Sequence, residues 1–112
     1  MNKSEILEHY NSSLNKWEEI LNLVKNDNAP EGGYERKYWN SCGFCLVHEC
    51  IKQPVNCPLD HGLDKNYCGE IGIVLGKIDN GSIGKSKAVS KIQDFIKLIE
   101  KIIKERKQHD VL

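Results

Sequence analysis

The residues best suited to chemistry are the five cysteines, and all of them lie between Cys42 and Cys68. They read Cys42-Gly43-Phe44-Cys45, then Cys50, then Cys57-Pro58-Leu59, then Cys68, with His48 and His61 in the same stretch. Cys-x2-Cys lets two thiolates reach one ion from a tight turn, and Gly43 suits the backbone amides that point at the sulfurs in such turns. A second pair of ligands must come from later in the chain. Cys57 and Cys68 complete the strongest set: Cys42, Cys45, Cys57 and Cys68. Cys50 and the two histidines are spare candidates, of which His61, in a turn, could replace one thiolate.

Four thiolates form a closed site, which suits a structural zinc ion and leaves no open position for catalysis. An iron–sulfur cluster takes four cysteines too and is the alternative, although the closely spaced run of ferredoxins is absent. The wide spacing is similar to that of high-potential iron–sulfur proteins, without their usual exported context. Disulfides fit less well. The count is odd, and the first residues, Met1 to Glu8, lack the apolar core of a signal peptide, so a reducing cytoplasm is expected. A thioredoxin-like use of Cys42-Gly43-Phe44-Cys45 needs a preceding strand, whereas a helix and a Gly-rich linker stand upstream.

A second feature is Gly84-Lys85-Ser86-Lys87. It falls short of a phosphate-binding P-loop: five residues before Gly84 stands Asp79, not glycine, and too little chain follows for a parallel sheet. A weaker reading keeps it as a phosphate or nucleotide site at a helix N-terminus; the plainer one makes it a turn with Ser86 as N-cap. No grouping of carboxylates, histidines or serines stands out as catalytic, and no enzyme activity is expected.

Two helical segments must hold the cysteine stretch. In the first, 5–26, Ile6, Tyr10, Leu14, Trp17, Leu21 and Val24 recur on one face, widened by Leu7 and Ile20, with Ser4 as the expected N-cap. It should stop near Asn26, before the breakers Asn28-Ala29-Pro30-Glu31-Gly32-Gly33. In the last, 87–107, Val89, Ile92, Ile96, Ile99 and Ile103 form an a/d stripe reinforced by Phe95 and Ile102, and the tail beyond is expected to fray. Between them, Tyr34, Tyr38 and Trp39 suit a short helical turn shielding the metal site. A base-stacking platform there has only Arg36 and Lys37 to support it. Glu70 to Gly76 reads as a short strand or buried extended run, and Asn80-Gly81 as a turn.

The 112 residues make one domain, 39 % apolar, with too thin a centre to hold itself by burial alone. Net charge is zero, but residues 1–41, 42–70 and 71–112 carry −2, −2 and +4, so only the last part suits an acidic partner. No run is long enough to span a membrane.

A tryptophan-bearing first helix, Cys42-Gly43-Phe44-Cys45, Cys57-Pro58-Leu59, Cys68 and a terminal amphipathic helix together resemble small cysteine-rich proteins of bacteriophages, prophages and some archaea. The likeness covers most of the chain. It departs where that group has a second C-x2-C, since Cys50 stands seven residues before Cys57. It departs again where Gly69 to Val74 replaces an aromatic-rich segment. The resemblance implies a metal-knuckle fold in a viral or mobile-element setting and no particular reaction.

The expected protein is therefore mainly α: two roughly antiparallel amphipathic helices bracketing a four-cysteine metal knuckle, with room for one short β-hairpin. The expected role is a zinc-stabilised binding or adaptor protein acting on a host protein or, with weaker support, a nucleic acid. The last helix's stripe could make a homodimer, though packing on the first helix would account for it as well.

Overall fold

The computed structural model describes residues 2–39, 60–61 and 65–111. Four helices occur among the described residues: α1 (Lys3–Lys25), α2 (Tyr34–Trp39), α3 (Tyr67–Asp79) and α4 (Lys85–Val111). A two-residue strand β1 (Asp60–His61) pairs antiparallel with β2 (Lys65–Asn66), directly before α3.

α1 begins earlier than Ser4. Asn2 takes the N-cap, its Oδ1 accepting from the Glu5 amide at 2.9 Å, and asparagine caps as well as serine. The helix stops where expected. Asn26 is the C-cap, and the next two amides turn back on the helix, Asp27 N donating to Val24 O (3.2 Å) and Asn28 N to Leu23 O (2.9 Å). This is a Schellman motif with Asp27 at φ +52, a position glycine usually fills.

The buried face of α1 is Tyr10, Ser13, Trp17, Ile20 and Val24. Leu14 and Leu21, which the periodicity centres on this face, are only half-buried. The stripe is rotated toward Ser13 and Ile20 because α4 packs on that side. Trp17 meets Phe95 edge to face, ring centroids 4.8 Å apart at 68°, a favoured aromatic geometry. Beyond the end of α1, Asp27 meets Lys85 at the start of α4 at 2.9 Å. One contact at the helix ends and one in their middles make α1 and α4 antiparallel.

α4 starts one residue before Ser86. Gly84 precedes the helix, its carbonyl accepting from Ala88 N at 2.9 Å, so Ser86 is not the N-cap. The helix also continues past Lys107 to Val111. Its stripe is buried within the chain at Ile92, Phe95, Ile96, Ile99 and Ile103, with Val89 and Ile102 half-buried, so packing inside the chain accounts for it.

The largest correction falls on residues 67–79. They form helix α3, not an extended run. Three buried residues, Ile71, Val74 and Leu75, with partly buried Tyr67 and Ile78, repeat at helical spacing. β-branched content suggested a strand, but propensity yields to an apolar face that packs. The turn expected at Asn80-Gly81 is present, closing a helix where a hairpin would use the same dipeptide. Gly81 N donates to Ile78 O (3.2 Å) and Ser82 N to Lys77 O (2.8 Å), with Gly81 at φ +75: a second Schellman stop. Both motifs need positive φ at the glycine, which is why the dipeptide signals either.

Candidate functional site

Of the four expected ligands, Cys42, Cys45 and Cys57 lie outside the described residues, as do Cys50 and His48. Cys68 occupies the first turn of α3, and His61 stands in β1. Among the described residues, no group of three or more His, Cys, Asp or Glu side chains is placed to hold a metal ion.

What the fold does show is how the helices on either side of the cysteine stretch are held. α2 ends at Trp39, just before Cys42, and α3 begins at Tyr67, just before Cys68. The two helices are clamped antiparallel. Asp79, last residue of α3, turns its carboxylate onto the start of α2, Oδ1 accepting from Tyr34 N at 2.7 Å and Oδ2 from Glu35 N at 3.0 Å. A helix N-terminus leaves its first amides without partners, and an anion there satisfies both the hydrogen bonds and the dipole. α2 has glycine immediately before it and so borrows its cap from another helix.

Gly33 makes that approach feasible. Its φ is +92, and a Cβ there would sit 2.9–3.0 Å from the Asp79 carboxylate. One turn back along α3, Gly76 lies under Glu35, where a Cβ would come within 3.1 Å of Oε2. With Tyr34 at Asp79 and Glu35 over Gly76, α2 runs toward the N-terminal end of α3. Tyr34 is buried here at 4 % exposure. Burial pushes its phenol above the ordinary 10.0, and the charges of Asp27 and Asp79 add to the effect.

A second feature is an open groove of about 930 Å³ between α3 and α4. Its floor includes Val74, Ile83, Phe95 and Leu98. Ile73, 61 % exposed, stands in its α3 wall and is the exposed large hydrophobic side chain among the described residues. Five lysines line it: Lys77 from α3, and Lys87, Lys91, Lys97 and Lys101 from α4. Glu70 and Asp94 are the acidic residues of the lining. None of the five lysines is ion-paired with another described residue.

Lys85, by contrast, is engaged with Asp27, so the Gly84–Lys87 loop divides its cations: Lys85 turns to the end of α1 and Lys87 to the groove. Sequence reasoning missed both the clamp and the groove. The signals were present in the helical spacing of Tyr67, Ile71, Val74 and Ile78, and in Gly32-Gly33 directly before Tyr34.

No family model, curated protein or solved structure matches the chain. No helix among the described residues is long and apolar enough to cross a membrane.

Proposed function

We propose that this chain is a small binding or adaptor protein whose working surface is the α3–α4 groove and whose cysteines staple the fold through zinc. The observation that carries the reading is the groove itself, an apolar floor with exposed Ile73 and a lysine rim. Isolated exposed hydrophobics are ordinary on soluble proteins, but one set in an apolar concavity with a polar rim has the anatomy of a binding surface. The resemblance to phage and prophage proteins adds a setting in which such a factor acts by occupying a host protein.

The zinc half rests on the cysteine spacing and on the helix ends next to Cys42 and Cys68. Cys42, Cys45, Cys57 and Cys68 would hold the ion as thiolates, and zinc so bound supplies folding free energy to a stretch with few large aliphatic residues of its own. The clamp supports this by directing the end of α2, next to Cys42, toward the start of α3, which carries Cys68. A helix first turn also favours a thiolate.

Two experiments test the two halves. Protein purified without oxygen should be colourless with one zinc per chain; a brown solution with visible absorbance favours the iron–sulfur alternative and overturns zinc. Cys57→Ser and Cys68→Ser should release the metal and unfold the chain, whereas Cys50→Ser should retain it. For the groove, displayed random peptides of about 20 residues, about 30 Å as a helix, are selected on the immobilised full chain. They should yield clones that bind Ile73→Glu at least about tenfold more weakly, about 1.4 kcal/mol. Selection that yields no such clone removes the groove as the working surface.

A further inference from the structure

We infer that the occupant of the groove is an amphipathic helix with acidic flanks, supplied by a partner protein. This deepens the reading of the groove as the working surface and rests on it.

The walls set the shape. Both are helices, joined by the Schellman stop at Gly81, and neither offers a strand edge to an extended peptide. From Tyr67 to Lys77 the α3 wall runs about 15 Å, so a partner helix would lie against both walls for about three turns. A third helix laid in the groove continues the layer that α3 and α4 begin, ridges into grooves. Ile73, Val74 and Leu98 would take its apolar stripe at i, i+3 or i+4, and i+7.

Charge selects among helices. Five lysines against Glu70 and Asp94 leave the lining at net +3, and those lysines have no carboxylate partners among the described residues. They share the lining with the apolar floor, four from α4 and Lys77 from α3, so a partner with Asp or Glu beside its apolar stripe gains attraction and faster encounter. A second copy docked groove on groove would set +3 against +3. A nucleic-acid backbone would gain from the lysines, but Ile73 and Leu98 offer it nothing and Glu70 and Asp94 repel it. Charge and apolar floor are both used only by the acidic amphipathic helix.

The test reads the sequences of the peptide clones that depend on Ile73. They should show apolar residues at helical spacing flanked by Asp and Glu, and gain helical circular dichroism on binding. Affinity should fall with added salt and drop at least tenfold in the doubly charge-reversed variant Lys87→Glu/Lys91→Glu, both exposed positions that leave the fold intact. Clones that depend on Ile73 yet carry basic or aperiodic sequences, or ignore that variant, overturn the acidic helix while the groove survives as a binding surface. A double-stranded DNA oligonucleotide that displaces the clones and binds Ile73→Glu as well as wild type overturns it in favour of nucleic acid. A wild-type dimer in sedimentation that Ile73→Glu converts to monomer overturns it in favour of a second copy.

Discussion

The clamp between α2 and α3 makes a sharp energetic prediction, because Gly33 and Asp79 oppose one another across a single contact. Asp79→Ala removes two charge-assisted hydrogen bonds and uncaps α2. Asp79 is largely exposed, so the cost is taken at the low end for charged bonds, about 2 kcal/mol. Gly33→Ala has two costs. Forcing alanine to φ +92 costs about 1 kcal/mol, and a Cβ at 2.9–3.0 Å from the carboxylate must push it off the amides, costing about 2 kcal/mol more. The double variant pays for backbone strain and cap loss, but has no carboxylate left to displace. It should cost about 3 kcal/mol, where simple additivity gives about 5. Urea unfolding followed by circular dichroism, at fixed metal loading, measures all four corners of the cycle. Each kcal/mol corresponds to about 4 °C in Tm for a domain of this size. A coupling energy within about 0.5 kcal/mol of zero would refute the clamp, because it would mean that the two residues do not share a contact.

Two further outcomes follow from single residues. Ser13 is buried at 1 % exposure with its Oγ lacking a hydrogen-bond partner among the described residues. Ser13→Ala should therefore stabilise the protein by about 1 kcal/mol; a loss of stability would show that the hydroxyl is satisfied in solution. Tyr34 has its folded pKa raised above the unfolded value of about 10, so the neutral phenol stabilises fully below that pH and the contribution disappears as pH rises through the folded value. Tyr34→Phe should accordingly lose less stability than wild type between neutral pH and pH above about 10, and parallel pH profiles for the two proteins would contradict the burial of the phenol.

Much of the α-helical frame was legible in the sequence. The apolar recurrence from Tyr10 to Val24 and from Ile92 to Ile103 marks two amphipathic helices, because 3.6 residues per turn places such positions on one stripe whatever the stripe packs against. Breakers from Asn28 to Gly33 marked the end of α1 for an equally local reason. The cysteine spacing likewise proposes a metal from ligand chemistry alone, with Cys42, Cys45 and Cys57 outside the described residues.

Only the tertiary structure decided residues 67–79. Residues 70–76 read locally as a short strand or buried extended run, and Asn80-Gly81 suits either a hairpin or a helix stop. Burial of Ile71, Val74 and Leu75 against neighbouring helices selects the helix, a free energy that no local window contains. The cap that Asp79 lends to Tyr34 and Glu35 spans more than forty residues of sequence, and a long-range partner leaves no periodic trace. The lysine-rimmed groove is of the same kind: Lys77 and Ile73 come from one helix, Lys87 to Lys101 from another, and their meeting depends on how α3 turns back against α4. The sequence thus marked the apolar stripes of the first and last helices and the cysteines whose chemistry suits a metal. The packing of α3 decided how α2 is capped and which lysines share a surface, because both depend on contacts between residues far apart in the chain.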